Sequence, residues 1–227
     1  MPFRPFGLDQ LAALATTAAS ACVLVCRARR EPASRAIRFG LAAFLGATAG
    51  SWLALVHARY GLSVWDLLPL HLCDFLILVA VFALLTLRPF ACELLYFWSA
   101  GTLLAMVTPD LAVGFPDPAF LAFFTLHGTV VVAAAVVVFG LGRRPRPGAP
   151  WRCFGATLAY AAVVAAVNQA CGTNFLFLRR KPDQPTLLDA FGPWPVYLGT
   201  VALFALGLFH LMAWPFRGNA AASTELS

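Results

Sequence analysis

A histidine, a cysteine and an aspartate lie within four consecutive positions of an otherwise apolar stretch, LLPLHLCDFLIL at residues 67–78. Cys73 is a candidate nucleophile, because a thiolate attacks acyl carbonyls and a nearby imidazole favours its formation. In a continuous helix His71 and Cys73 would be about 200° apart, whereas His71 and Asp74 would share a face. The base for Cys73 is therefore expected on another helix.

His127, within FFTLHGTV, is the candidate base. Counting 1.5 Å per helical residue places Cys73 about 9 Å and His127 about 12 Å from the same end of the predicted bundle. Asp74 or Asn168 could orient the imidazole, as the third member of a catalytic triad does. The pattern predicts a Cys–His pair for nucleophilic acyl chemistry.

Further polar residues fall on the same side of the membrane when the predicted helices are taken to alternate in direction. Polar groups facing lipid cost at least a few kcal/mol each, so a shared location usually indicates a site. The residues are Asp110, Asn168, Asn174, Arg179, Arg180 and Lys181. The three cations lie in a long loop, 172–195, and suit a phospholipid phosphate. The alternative is interfacial anchoring of this loop without lipid specificity.

Less specific interpretations of the same residues stay open. Cys73 could serve packing alone, as cysteine in a membrane helix commonly does. His71 could bond Asp74 or a backbone carbonyl across helices. A metal site at His71, Asp74 and His127 would lack any familiar ligand spacing, so no metal is predicted. Cys73 could also form a disulfide with Cys171, which is predicted on the same side.

The composition predicts a polytopic membrane protein. The 227 residues are 61% hydrophobic and only 11% charged, and several segments contain no charge over about 18 residues. The net charge of +6 comes from arginines that flank apolar segments, which argues against nucleic-acid binding. No Rossmann fingerprint or P-loop is found, and no cofactor is predicted.

The apolar spans predict an all-α fold of about seven transmembrane helices in one domain, residues 1–216, followed by a disordered tail, 217–227. Turn signals, including EPAS at residue 31, separate the helices. The predicted helices are 8–26, 37–57, 67–87, 91–108, 119–141, 153–171 and 194–214.

The distribution of Lys and Arg predicts the orientation. Eleven of the 16 fall on one side of the predicted bundle and five on the other, so the first side is assigned to the cytoplasm. The N-terminus is then outside and the C-terminus cytoplasmic. Charge follows the first apolar run as CRARR instead of preceding it, which favours a retained first helix over a cleaved signal peptide.

Several motifs together resemble the YwaF-like bacterial family of integral membrane proteins, over about residues 65–216. The motifs are LPLHLCD, YFWSAGTLLAMVTPDL, TLHG, GTNFLFLRRKP and LLDAFGPWPVY. The chain is also distantly similar to the eukaryotic transmembrane cysteine acyltransferases of ether-phospholipid synthesis, and more remotely to the androgen-induced serpentine hydrolases. These resemblances imply a bacterial inner-membrane protein that acts on lipid acyl esters through Cys73 and His127. The hydrolases have a threonine where this chain has the cysteine.

The leading hypothesis is therefore a cysteine-dependent acyltransferase or acyl hydrolase acting on phospholipid or lysophospholipid esters. Cys73 would form a thioester, His127 would transfer protons, and Arg179, Arg180 and Lys181 would hold the phosphate. Membrane lipids would be the substrates. The alternative hypothesis is a non-enzymatic carrier or binder of a small anionic or lipid ligand, which would use the same polar face as a vestibule.

Overall fold

The computed structural model describes residues 2–60, 68–183 and 185–217, which form seven α-helices. The helices are α1 (Leu8–Ala28), α2 (Glu31–Tyr60), α3 (Leu72–Thr86), α4 (Pro89–Val107), α5 (Pro118–Ala135, continued by a π-helical turn, Val136–Gly140), α6 (Ala149–Cys171) and α7 (Val196–Ala213). Six are long and apolar enough to cross a membrane, and α3 is shorter. The predicted all-α polytopic fold is confirmed.

The predicted bounds of α2 are wrong at its beginning. EPAS, expected as a turn, forms the first helical turn, and the break after α1 falls at residues 29–30 instead. Proline is tolerated in a first turn because the amide it lacks would have no intrahelical partner there. The apolar run alone therefore underestimated the length of α2.

The predicted beginning of α3 is also wrong. The helix starts at Leu72, and the described residues before it are not helical. Pro69 lacks a backbone donor and disfavours a helical residue before it. His71 has an extended backbone, with ψ of 146°, and is the N-cap of α3. Leu67, the predicted first residue, lies outside the described residues, as does the tail beyond Arg217.

The helices alternate in direction, so the bundle has two ends. The N-termini of α1, α3, α5 and α7 lie at the first end. There, the side-chain amide of Gln10 on α1 donates to the Met106 and Val107 carbonyls of α4, each at 2.9 Å. The short segment before α1 pairs with the α4–α5 loop, where the Phe3 amide donates to the Ala112 carbonyl. The two bonds from Gln10 satisfy carbonyls that the C-terminus of α4 leaves unpaired.

The second end is held together by charged side chains. Arg38 of α2 donates to the Leu84 and Leu85 carbonyls at the end of α3. Glu93 of α4 is 2% exposed and forms ion pairs with Arg146 and Arg152 at 2.8 and 3.0 Å. The beginning of α6 is thereby fixed against the beginning of α4.

The core is formed mainly by α3, α4 and α5. Fully buried alanines on α3 and α5, Ala80 and Ala133 among them, face the buried Leu95 and Phe97 of α4. Small residues let membrane helices approach closely, where packing replaces the hydrophobic drive of water. On the opposite face of α5, a Cβ added to Gly128 would lie 2.6 Å from the Thr17 hydroxyl of α1. The close contact of α1 and α5 therefore depends on this glycine.

Candidate functional site

Cys73 lies in the first turn of α3, half-buried against α4. The Thr102 hydroxyl donates to the Cys73 sulfur at 4.0 Å, and the Thr102 side chain is itself 2% exposed. Thr102 precedes the last residue of α4, Val107, by five positions, which corresponds to a depth of about 8 Å. The depth of about 9 Å expected for Cys73 is therefore close to the depth of Thr102, although α3 begins later than predicted.

His71 is held outside α3 by two aromatic rings. Its ring centroid lies 5.3 Å from that of Phe175 and 5.1 Å from that of Phe177. Within the described part of the chain, neither ring nitrogen has a hydrogen-bond partner. Because His71 is not helical, the separation of about 200° expected between His71 and Cys73 in a continuous helix does not apply. The expected pairing of His71 with Asp74 is not made, and Asp74 is exposed.

His127 lies on α5, half-buried, with its ring stacked on Phe123 at a centroid distance of 4.0 Å. Its Nδ1 is 2.8 Å from the Phe123 carbonyl. A carbonyl can only accept, so Nδ1 carries the hydrogen and Nε2 of the neutral ring has a free lone pair. The α5 helix contacts both α3 and α4. No hydrogen bond joins Cys73 to His127 among the residues described, and their pairing stays a prediction.

An aromatic wall of Phe75, Trp98 and Tyr160 borders the Cys73 turn. Phe75 stacks on Tyr160 with centroids 4.7 Å apart, and Trp98 contacts both rings. The Tyr160 hydroxyl donates to the Leu70 carbonyl at 3.0 Å, which ties α6 to the segment before α3. The sequence analysis missed this wall and Thr102. The four-residue spacing of Trp98 and Thr102, which puts them on one face of α4, was the available signal.

Asn168 does not orient an imidazole. Its side chain is 1% exposed, and its amide donates to the Phe175 carbonyl at 2.9 Å. Its carbonyl oxygen accepts from the Phe175 amide and from the Thr173 hydroxyl, each at 2.8 Å. The side chain is thus committed to folding the loop that covers His71.

Asn174 has a similar role further along the same loop. Its carbonyl oxygen accepts from the Arg179 and Arg180 amides at 2.9 and 3.2 Å, and its amide donates to the Arg180 carbonyl at 3.0 Å. Asx side chains commonly replace backbone partners in such turns. Asn168 and Asn174 together fix the conformation of residues 173–180.

Two of the three loop cations have carboxylate partners. Arg180 pairs with Asp183 at 2.8 Å, and Lys181 pairs with Asp189 at 3.4 Å. The Thr186 amide and Lys181 hold the pKa of the Asp189 carboxyl below its usual range. Arg179 is exposed, and its guanidinium donates weakly to the backbone carbonyl of Asn168 at 3.4 Å. Within the described residues, Arg179 is therefore the cation of this cluster without an ion-pair partner.

Three further expectations concern Asp110, a metal site and a disulfide. Asp110 is exposed in the α4–α5 loop, next to the residues that pair with the N-terminal segment. No three His, Cys, Asp or Glu side chains group as metal ligands in the described portion of the chain. All six cysteines are free, so Cys73 and Cys171 form no disulfide.

The spans, their antiparallel packing and the polar groups at one end define an integral, multi-pass helical membrane protein. The TMEM164 family model matches residues 5–213, and the chain belongs to the TMEM164 family. An uncharacterized protein of Treponema pallidum (strain Nichols) is 31% identical over 155 residues, which cover 66% of this chain. The match covers 62% of the Treponema protein's own length. No solved structure matches. Membership of the YwaF-like family stays a prediction from the motifs.

Proposed function

We propose that this protein is a cysteine-dependent lipid acyltransferase of the cell membrane. The observation that carries the proposal is the position of Cys73. The thiol lies at the N-terminus of a helix and receives a hydrogen bond from the buried Thr102 hydroxyl. The nearby His71 contacts Phe175 and Phe177 of the loop that carries the cations. Helix N-termini and hydrogen-bond donors both stabilise a thiolate. This environment suits a nucleophile better than a cysteine that serves packing alone.

In the first half-reaction, the Cys73 sulfur attacks the carbonyl carbon of a phospholipid ester, and the thiol proton passes to Nε2 of His127. The carbon–oxygen ester bond breaks and leaves the acyl group on Cys73 as a thioester. The imidazolium returns the proton to the departing lysophospholipid oxygen. The tautomer set by the Phe123 carbonyl supports this role, because it leaves Nε2 as the acceptor. Closure of the Cys73–His127 gap on substrate binding is part of the proposal.

In the second half-reaction, the hydroxyl of an acceptor lysophospholipid gives its proton to His127 and attacks the thioester. The carbon–sulfur bond breaks, and the thiolate regains a proton from the imidazolium. Water in place of the acceptor would give hydrolysis. The aromatic wall and the loop over His71 lie beside the Cys73 turn, and in this proposal they limit the access of water to the thioester, which favours transfer.

The phosphate of the substrate would bind at Arg179. Its guanidinium lacks a carboxylate partner within the described residues, and an exposed arginine can bind phosphate through two hydrogen bonds. Arg180 and Lys181 would contribute by exchanging Asp183 and Asp189 for phosphate oxygens. In this proposal the loop and the N-terminus are outside and the C-terminus is cytoplasmic, as the positive-inside bias predicts.

The test is acyl transfer in reconstituted vesicles. Purified protein is supplied with phosphatidylcholine and an isotope-labelled lysophospholipid, and labelled diacyl product is followed by mass spectrometry. Wild type is expected to form product and an acyl adduct on Cys73 that hydroxylamine removes, as it removes thioesters. Cys73→Ala and Cys73→Ser should form neither. Cys171→Ala, at an exposed cysteine on the same end of the bundle, is the matched control and should retain activity.

Equal product from wild type and Cys73→Ala would exclude the cysteine as nucleophile. Failure of folded wild type to turn over any of several acyl donors would favour the carrier or binder. In that case labelled lysophospholipid should still bind, and Arg179→Gln should weaken its binding.

A further inference from the structure

An apolar groove runs along the outside of the α3–α4 hairpin, from Phe75 to Arg88 at the second end. Its walls include Leu78, Val79 and Phe82 from α3 and Phe90 and Leu94 from α4. Its volume is about 430 Å³, within the range of roughly 300–1,000 Å³ usual for ligand pockets. Apart from Arg88 at one end, the side chains that line it are apolar.

Arg88 lies at the mouth of this groove. Its guanidinium carbon is 5.9 Å from the ring centroid of Phe82, which is one of the groove walls. Arg88 is exposed and has no carboxylate within ion-pair distance in the described part of the chain. Two other arginines at this end, Arg146 and Arg152, are instead paired with Glu93. The groove therefore combines an apolar channel with one uncompensated positive charge.

The depth of Arg88 matches that of a lipid phosphate. The α4 helix has 19 residues, so it is about 28 Å long, close to the roughly 30 Å of a bilayer's hydrocarbon core. Arg88 immediately precedes α4 and so falls at the membrane interface. From Phe82 the groove continues toward Phe75, seven residues earlier on α3, which is about 10 Å deeper into the membrane.

We propose that this groove binds one anionic phospholipid, with its phosphate at Arg88 and one acyl chain along α3 and α4. The phosphate position at Arg88 lies at the opposite end of α3 from Cys73, although the groove reaches Phe75 of the aromatic wall. The proposed binding does not depend on the proposed acyl transfer. The bound lipid would cover the outer surface of α3, the shortest of the seven described helices. A ligand that binds only the folded state stabilises it by mass action.

The test is lipid retention measured by native mass spectrometry. Purified protein is titrated with phosphatidylglycerol or with phosphatidylcholine, and the occupancy of the first lipid is followed. Wild type should bind phosphatidylglycerol more tightly than phosphatidylcholine. Arg88→Gln should weaken phosphatidylglycerol binding about fivefold, as expected for loss of one interfacial cation. Arg88→Lys should retain most of it.

Two further variants separate the groove from general surface charge. Arg144→Gln removes an exposed arginine from the same end of the bundle but outside the groove, and should change binding less than Arg88→Gln does. Leu78→Trp, at a side chain that is 53% exposed, should fill the channel and weaken binding with Arg88 intact. Circular dichroism and thermal unfolding establish that each variant is folded.

Equal losses from Arg88→Gln and Arg144→Gln would overturn the proposal in favour of diffuse electrostatic attraction. Unchanged binding in Leu78→Trp would show that no acyl chain occupies the channel. If wild type bound the two lipids equally and Arg88→Gln changed neither affinity, the bound molecules would be ordinary boundary lipid and the proposal would be wrong.

Discussion

The Thr102 hydroxyl donates to the Cys73 sulfur at 4.0 Å, across the contact between α4 and α3. Thr102 is almost fully buried, so few other partners are available to its hydroxyl. A hydrogen bond from a hydroxyl stabilises a thiolate more than a thiol, because the negative charge is concentrated on sulfur. Thr102 is therefore a positioning and activating residue for Cys73 in the proposed mechanism.

Replacing Thr102 by valine should slow alkylation of Cys73. The substitution keeps the shape of the side chain and removes one hydrogen bond, worth about 0.5–1.5 kcal/mol, so the rate should fall roughly two- to tenfold. The measurement is the rate of reaction with iodoacetamide, read by peptide mass spectrometry. The background should carry serine at the exposed Cys22, Cys26 and Cys171.

Thr86→Val is the matched control for this experiment. Thr86 lies at the opposite end of α3, and its hydroxyl donates to the Phe82 carbonyl of its own helix. Its replacement should leave the alkylation rate of Cys73 unchanged. The same rate in Thr102→Val as in wild type would mean that the hydroxyl contributes no activation.

Loss of the Asn168 side chain should expose the cationic loop to trypsin. Asn168→Ala removes three hydrogen bonds to Thr173 and Phe175 and leaves the buried backbone amide of Phe175 unpaired. Cleavage after Arg179 and Arg180, timed by mass spectrometry on protein in detergent, should accelerate because proteolysis follows local opening.

Gln169→Ala serves as the control, since Gln169 is the exposed neighbour of Asn168 on α6. Cleavage in that variant should match wild type. If Asn168→Ala were cleaved no faster than Gln169→Ala, the loop would be held by contacts other than the asparagine. Thermal unfolding of both variants separates loop opening from global destabilisation.

The helices could be predicted from the sequence because a sufficiently long run of apolar residues indicates a membrane-spanning helix. The ends of α1, α4, α6 and α7 fall within a few residues of their predicted positions. The beginning of α3 could not be predicted in this way. The apolar run continues through Pro69, and hydropathy gives no sign that proline lacks a backbone N–H group. That error changed the interpretation of His71 from a helical residue to an N-cap.

The end of the bundle at which Cys73 lies was predictable, but its contacts were not. Alternation of helices was sufficient to assign Cys73 to the first end of the bundle. The partners of this segment depend on helix rotation and on distant residues: Thr102 is 29 positions from Cys73, and Tyr160 is 90 from Leu70. Asn168 was expected to face the site, yet its side chain is hydrogen-bonded to the backbone of Phe175, only seven residues away.

Gln10 should be required for stability at the first end. It is fully buried, donates to Met106 and Val107, and accepts from the Phe6 amide. Gln10→Ala leaves the final carbonyls of α4 without partners and should lower the free energy of unfolding by about 1–3 kcal/mol. Thermal unfolding in a fixed detergent is the measurement.

Gln10→Glu sharpens this prediction. The glutamate keeps the length of the side chain and an acceptor for the Phe6 amide, but it replaces the donor by an oxygen that faces two carbonyls. It should be at least as destabilising as Gln10→Ala, whereas Leu11→Ala, at a side chain that is 46% exposed, should have little effect. Wild-type stability in Gln10→Glu would contradict a donor role.

Gly128 and Thr17 should show strong energetic coupling. A Cβ at position 128 would lie 2.6 Å from the Thr17 hydroxyl, well inside van der Waals contact. Threonine is stiff at χ1, so Gly128→Ala should force α1 and α5 apart and cost about 1–3 kcal/mol. Thr17→Ala alone should cost little, because its hydroxyl donates to the Ala13 carbonyl, which is already in its own helix.

In the Thr17→Ala background the sign of the Gly128→Ala effect should reverse. The obstructing oxygen is gone, and alanine is favoured over glycine inside a helix by about 1 kcal/mol. The two effects differ by about 2–4 kcal/mol, so a double-mutant cycle on the free energy of unfolding should give a coupling of about 2–4 kcal/mol. Gly101→Ala, at a glycine of α4 with no heavy atom within 4 Å of the added Cβ, should show no coupling to Thr17. Additive effects of Thr17→Ala and Gly128→Ala would mean that the two helices are not packed through this contact.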